Sequence, residues 1–213
     1  MRKLLCIFLA VMLLASTCCA LTPEEAAQDL AKYGIMQGFP DGSFRLEETV
    51  TRAQCVKMIM TALKKTDFPG AGTIFSDVPK EHWAVGHIEG SIGEGVIIGF
   101  PDGTFRPEES VTKYQAIKMV VCMLKHDALD IKPFSYPDDY TDAAIDVKLV
   151  TEEEVGTQDA PASRGFVARL ISKALDLPVA ELYGLVHGTG SDYVLMNGLY
   201  GRPLKTLRKA LDQ

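Results

Sequence analysis

An ungapped internal duplication is the feature that most constrains how this chain can fold. The stretch GFPDGSFRLEETVTRAQCVKM at 38–58 recurs as GFPDGTFRPEESVTKYQAIKM at 99–119, with 14 of 21 positions identical at a constant offset of 61. Several of the differences are conservative, such as Ser43 for Thr104. Self-similarity of this quality indicates a repeat architecture, in which neighbouring units bury each other's apolar faces.

Each copy predicts a tight turn followed by an amphipathic helix. The Pro-Asp-Gly triplets contain Asp41 and Asp102, and they combine a fixed φ, a side chain that bonds its own backbone and a residue that accepts positive φ. A Thr-x-x-Gln capping box then marks each helix start, and apolar residues follow at helical spacing. The two boxes are Thr51 with Gln54, and Thr112 with Gln115.

A third, more divergent copy follows the second. The apolar pattern recurs after Arg164, with Ser163 at the capping position, but the acidic run 152–154 replaces the Pro-Asp-Gly turn. A further helix is expected to precede each turn, over 22–33, about 83–94 and about 142–147. The predicted repeats are residues 21–66, with a shortened lead-in, 74–127, and the divergent 134–177.

The first 20 residues have the pattern of a signal peptide. Two basic residues precede an apolar run over 4–14, which is too short for a typical membrane span, and small residues follow up to Ala20. We expect cleavage after Ala20 and export of the chain, with no membrane span in the mature part. Acylation of Cys18 or Cys19 is the alternative.

Residues 178–213 have no counterpart in the repeats and form a predicted tail. Its first part is rich in glycine, and PLKTLRKAL at 203–211 predicts a final helix with Leu204, Leu207 and Leu211 facing inward. This helix either packs over the third repeat or serves as a docking element for a surface protein.

The charge and the cysteines exclude several classes of function. Loss of the first 20 residues leaves 20 basic against 28 acidic residues, and nucleic-acid binding would require a basic face. Cys55 and Cys122 lie at different offsets in their repeats, so they predict buried thiols and no disulfide framework. The histidines lack metal-ligand spacing and the turns lack calcium-ligand spacing, so neither metal nor cofactor is expected. No acid and base pair can be singled out, so the chain is not expected to be an enzyme.

The second repeat has FSDVPKEHWA at 75–84, then an apolar helix, and then GVIIGFPDGTFRPEESVTKYQA at 95–116. This combination closely resembles the S-layer homology (SLH) module. The resemblance extends over residues 22–177. It implies an all-α fold in which three helix-loop-helix repeats form a pseudo-threefold arrangement around a central three-helix bundle. It also implies that grooves between the modules bind a secondary cell-wall polysaccharide, often one that carries ketal-linked pyruvate, and so attach an exported protein non-covalently to the wall.

The resemblance implies a ligand site at each second-helix start. The family's Thr-Arg-Ala-Glu signature falls on 51–54, 112–115 and 163–166, which keep a basic residue each time, as Arg52, Lys113 and Arg164. Its Glu is Gln54, Gln115 and then Phe166, so the third site departs furthest from the signature. A basic side chain beside free helix amides is also chemically suited to bind a carboxylate. Because arginine can bind both oxygens of a carboxylate, we expect Arg52 to contribute more to ligand binding than Lys113.

Three further residues are candidates for polysaccharide contact. Trp83 offers a flat apolar face for a sugar ring, although it could equally be a core anchor between modules. Asp41 and Asp102 are primarily turn residues with a possible second role toward the ligand. The alternative function is that of a secreted helical-repeat module that docks another protein.

Overall fold

The computed structural model describes residues 21–70, 72, 74–125, 134–177, 179 and 206–213, and within these ranges the fold is all-α, as predicted. The eight helices of this part of the chain are α1 (Pro23–Lys32), α2 (Arg52–Ala62), α3 (Val85–Gly93), α4 (Lys113–Met123), α5 (Asp138–Asp146), α6 (Glu152–Val155), α7 (Arg164–Leu175) and α8 (Leu207–Leu211). The predicted signal peptide, Cys18 and Cys19, and most of the tail lie outside the described residues. Among the described residues, no helix combines the length and apolar character needed to cross a membrane.

The predicted helix starts are confirmed at the three central helices. Thr51 and Thr112 form complete capping boxes with Gln54 and Gln115, and Ser163 accepts a hydrogen bond from the third residue of α7. The start of α5 at Asp138 lies earlier than the predicted 142, because Pro137 permits a helix to begin directly after it. The divergent third repeat forms the single turn α6 where the other two have Pro-Asp-Gly.

Three backbone hydrogen bonds link the repeats in a cycle, just before the helices α2, α4 and α7. The Val50 amide donates to the Ala162 carbonyl at 3.1 Å, the Ala162 amide donates to Val111 at 2.9 Å, and the Val111 amide donates to Val50 at 2.9 Å. The three helices that follow also contact one another pairwise. This closed cycle supports the pseudo-threefold arrangement around a three-helix bundle, which stays a prediction.

The first helix of each repeat packs against the second helix of the preceding repeat. Helix α3 packs on α2, α5 packs on α4, and α1 closes the cycle by packing on α7. Apolar residues of α1, including Leu30, and of α7, including Leu170, are buried in the common core. The repeat seen in the sequence is therefore not the unit of packing, because each helix pair draws on two successive repeats.

The C-terminal helix α8 lies across the joint between α1 and α7. The guanidinium of Arg208 donates to Asp29 of α1 at 2.9 Å and to Asp176, which follows α7, at 2.5 and 3.0 Å. Of the predicted helix at 203–211, the described part is Leu207–Leu211, where Leu207 and Leu211 face the core as expected, and Leu204 lies outside the described residues. Packing of this helix over the third repeat is therefore the alternative that the structure favours.

Candidate functional site

The candidate site residue Arg52 crosses from its own repeat into the next one. It is the first residue of α2, and its Nε donates to the Phe105 carbonyl at 2.8 Å while its Nη1 donates to Gln115 Oε1 at 3.2 Å. Only 5% of the residue is exposed. Burial lowers the pKa of the guanidinium, although the charges of Cys55 and Glu109 act in the opposite direction.

Arg106 shares an aromatic ring with Arg52. The guanidinium carbon of Arg106 lies 4.0 Å from the Phe100 ring centroid, and that of Arg52 lies 4.6 Å from the same point. Both distances are within the range of cation–π attraction. Arg52, Phe100, Phe105, Arg106 and Gln115 are called junction A hereafter, because they join repeats 1 and 2.

Two aspartates hold Arg106 in place. Asp102 Oδ1 accepts from the Thr104 amide at 3.0 Å and its hydroxyl at 2.6 Å, and Oδ2 accepts from Arg106 Nη2 at 3.0 Å. These hydrogen bonds from Thr104 and Arg106 lower the pKa of Asp102 to about 2. Asp77 accepts from the backbone amides of Phe105 and Arg106 at 2.8 and 2.7 Å, which supports the positive φ of 59° at Arg106.

An equivalent arrangement, called junction B, joins repeats 3 and 1. Arg164 Nε donates to the Phe44 carbonyl at 2.8 Å, matching the bond from Arg52 to Phe105. The guanidinium carbons of Arg164 and Arg45 lie 5.1 and 3.8 Å from the Phe39 ring centroid. Asp41 holds Arg45 at 3.3 Å, as Asp102 holds Arg106. Junction B comprises Arg164, Phe39, Phe44 and Arg45.

The third boundary, called junction C, joins repeats 2 and 3 and is built differently. Lys113 Nζ donates to the Glu154 carbonyl at 2.8 Å and lies 5.2 Å from the Phe166 ring centroid. Tyr114, beside it, donates to the Gly156 carbonyl at 3.5 Å. The single turn of α6 stands where the other junctions have an aromatic ring with an exposed arginine against it, which are Phe100 with Arg106 and Phe39 with Arg45. Junction C comprises Lys113, Tyr114, Glu154 and Phe166.

The remaining candidates have local structural partners. Gln54 is exposed and caps α2, whereas Gln115 caps α4 and also accepts from Arg52. Asp41 and Asp102 form the turns and position arginines.

Trp83 is 53% exposed and stacks on His82, so the structure places it at the surface and not in the core. The structure thus brings Arg52 and Gln115 together, and it places Lys113 and Arg164 at separate junctions.

Sequence reasoning missed Arg45 and Arg106 as site candidates. Both follow a phenylalanine at the same position of the repeat and both have a side chain that is 42% exposed. The signal was present in the sequence, since Phe-Arg is identical in the first two copies and absent from the third. What sequence alone did not show was that this arginine faces the helix start of a different repeat.

Comparison with known proteins identifies a known domain in two segments of the chain. The family model described as the S-layer homology domain matches residues 22–54 and 74–117. The chain therefore contains S-layer homology domain sequence in these two segments, in agreement with the resemblance seen in its sequence. The matched segments include the turns of junctions A and B and the starts of α2 and α4.

The curated relatives are cell-wall and cell-surface proteins. The chain is 24% identical over 164 residues to the middle cell wall protein of Brevibacillus brevis, which is 74% of this chain and 15% of that protein. It is 28% identical over 116 residues to the cellulosome-anchoring protein of Acetivibrio thermocellus, 53% of this chain and 26% of that one. It is 45% identical over 58 residues to the outer membrane protein SlpA of Thermus thermophilus, 27% of this chain and 6% of that one.

These comparisons assign the chain to the bacterial cell wall and surface. The chain spans 15%, 6% and 10% of the length of the first three relatives, so it corresponds to a small part of each. One of these relatives, the cellulosome-anchoring protein, is an anchoring protein by its name.

Proposed function

We propose that the chain anchors to the cell wall by binding an acidic secondary wall polysaccharide at the junctions between its repeats, without catalysis of its own. The observation that carries this proposal is the pair of guanidinium groups within 4.6 Å of the Phe100 centroid at junction A. Arg106 pairs with Asp102 at 3.0 Å and with Glu109 at 3.6 Å, but a guanidinium has five N–H donors, so this exposed group can still donate to the anion of a ligand. The anchoring is non-covalent and the partner is the polysaccharide.

The chemistry of junction A suits a sugar that carries a carboxylate, such as a ketal-linked pyruvate. Arginine can donate to both oxygens of a carboxylate, and the side chain of Arg106 is 42% exposed and accessible to it. Gln115 is partly buried beside the buried Arg52. Because the whole chain has a net charge of −6, attraction of an acidic polymer must come from such local sites and not from the overall field.

Docking of another protein is the second candidate function, and exposed apolar side chains favour it. Ile74 and Ile98 are 79% and 76% exposed. They lie next to Phe75 and Gly99, which are in close contact, so the two isoleucines belong to one region of repeat 2. Exposed apolar surface of this kind can mark a protein interface. A surface protein bound through the C-terminal tail is a separate possibility that stays a prediction.

Co-sedimentation of the purified chain with cell-wall sacculi tests the proposed function. Sacculi are used intact and after chemical removal of the secondary polymer, and Arg106→Gln is compared with Arg106→Lys. We expect binding to intact sacculi, loss of binding on stripping, and a larger defect in Arg106→Gln because only Lys retains the charge.

A matched control removes one positive charge far from the junctions. Lys32 lines the same surface cavity as Thr61. Thr61 is nine residues after Arg52 in α2, and therefore about 13 Å from it along the helix axis. Lys32→Gln should bind as the unmodified chain does. Equal binding to stripped sacculi would redirect the proposal to peptidoglycan, and absence of binding to either would favour protein docking.

A further inference from the structure

The three junctions are not equivalent, and their differences follow from how the repeats pair. We propose that junctions A and B bind the acidic polymer through Arg106 and Arg45, and that junction C, with Lys113, does not bind it. This inference rests on the proposed function. The signature alone would make the site of Arg164 the weakest binder, because it departs furthest from the family there. The structure instead favours the site of Lys113 as the weakest.

The reassignment follows from the cross-repeat contacts. The basic residue at each second-helix start contacts the turn of the next repeat in the cycle: Arg52 contacts repeat 2, Lys113 contacts repeat 3 and Arg164 contacts repeat 1. The turn that has been lost belongs to repeat 3. Its loss therefore alters the site of Lys113, whereas Arg164 faces the intact turn of repeat 1.

Junctions A and B share one geometry despite the divergence of repeat 3. In each, an arginine Nε donates to a phenylalanine carbonyl at 2.8 Å, and a second arginine lies 4.0 or 3.8 Å from the centroid of the shared ring. In each, Oδ2 of the turn aspartate forms an ion pair with Nη2 of that second arginine, at 3.0 Å in junction A and 3.3 Å in junction B. The replacement of Gln by Phe166 leaves this arrangement at junction B intact, because Phe166 lies at junction C against Lys113.

Junction C lacks the exposed arginine of the other two and carries exposed carboxylates on α6. Glu152 and Glu153 are exposed on α6, at the positions of Pro101 and Asp102 in the second repeat. The Glu154 carboxylate is paired with Arg169 and lies 3.9 Å from Lys173 Nζ, and no second cation shares the Phe166 ring with Lys113 among the described contacts. Like charges facing each other across an interface oppose binding, so an acidic polymer is disfavoured here.

The exposed arginine of each pair is the one positioned to contact ligand. Arg106 and Arg45 each have 42% of the side chain exposed, whereas Arg52 is buried and its Nε and Nη1 donate within the protein. A polymer that carries repeated carboxylates and is long enough to span both junctions would bind them as linked sites. Linked binding of this kind raises the overall affinity well above that of one site.

The test measures binding curves on intact sacculi for Arg45→Gln, Arg106→Gln, their double variant and Lys113→Gln, with Lys32→Gln as the charge control. Each arginine variant is expected to weaken binding about tenfold or more, because a single remaining junction loses the linkage between sites. The double variant should lose measurable binding. Lys113→Gln should stay within about twofold of the unmodified chain, as should the control, since neither position contributes a ligand contact under this proposal.

The outcomes separate this inference from the proposed function. If the unmodified chain fails to sediment with intact sacculi, the proposed function fails. If it binds and Lys113→Gln weakens binding as much as Arg106→Gln, or if Arg45→Gln has no effect, the inequality of the junctions is wrong. Circular dichroism identifies a temperature at which every variant is folded, and all binding is measured there.

Discussion

Arg52 and Arg106 lie against the same ring, but truncation of Arg52 should reduce stability whereas truncation of Arg106 should reduce wall binding. Arg52 is 5% exposed and donates to the Phe105 carbonyl and to Gln115, whereas the Arg106 side chain is 42% exposed. We therefore expect Arg52→Ala to destabilise the fold substantially. Arg106→Ala should mainly weaken binding to the wall.

The expected magnitude for Arg52 follows from its contacts. A hydrogen bond from a charged donor contributes about 1.5–3 kcal/mol, and a desolvated cation–π contact contributes up to about 2 kcal/mol. These contributions overlap because they share one side chain, so Arg52→Ala should lower the free energy of unfolding by about 3 kcal/mol. Arg106 forms an exposed ion pair with Asp102, so its removal should cost about 1 kcal/mol or less.

Urea unfolding followed by far-ultraviolet circular dichroism checks both values. With a denaturant slope of roughly 1–3 kcal/mol/M, a loss of 3 kcal/mol moves the midpoint by about 1–3 M, and Arg106→Ala should move it by a third of that or less. Equal losses in the two variants, or a loss below about 1 kcal/mol for Arg52→Ala, would refute the assignment of Arg52 to the structural framework.

Four further predictions concern the framework around the junctions. Arg208→Ala should lower the thermal midpoint by several degrees, because it removes partly buried ion pairs that join α8 to α1 and α7; an unchanged midpoint in a melting curve would contradict this. Burial tends to raise the pKa of Asp29, but hydrogen bonds from Arg208 and Ser172 lower it overall. The ionised Asp29 therefore stabilises the folded chain above the unfolded pKa of about 3.9, and this stabilisation is lost as the pH falls through the lower folded pKa. Melting curves between pH 5 and 2 should show this loss. Asp77→Ala should weaken wall binding without loss of the fold, because the amides around junction A lose their acceptor; a binding curve beside a circular dichroism spectrum separates the two effects. Burial raises the pKa of the Cys55 thiol to about 12, so a thiol reagent at pH 8 should modify it only after denaturant is added, and rapid modification of the folded chain would show that the thiol is accessible.

The local structure was predictable from the sequence because its signals are local. A capping box and a Pro-Asp-Gly turn act within four or five residues, and Thr51 and Asp41 make the hydrogen bonds that their residue types predict. The internal duplication similarly predicted that the second helix of each repeat would recur. Helix boundaries were less well predicted, as the start at Asp138 shows, since a divergent repeat gives no copy from which to align.

The pairing of helices was not predictable, because it depends on contacts between residues far apart in the sequence. Nothing local indicates that the helix containing Leu30 packs on the one containing Leu170. The position of Arg52 illustrates the same limit. A basic residue at a helix start is usually exposed, but this start lies where the repeats meet, so the side chain is buried against Phe105.

Because the candidate sites lie between repeats, a single repeat cannot form a complete site. Arg106 belongs to repeat 2 and Arg52 to repeat 1, yet both lie against Phe100, so neither repeat contains junction A by itself. Each helix pair of the core also combines two repeats. A single repeat excised from the chain would therefore lose the helix partners supplied by its neighbours and would complete none of the junctions. The loss of one turn in repeat 3 affects a single junction, because each turn faces one helix start, and this explains how one repeat can diverge while two junctions keep the same geometry.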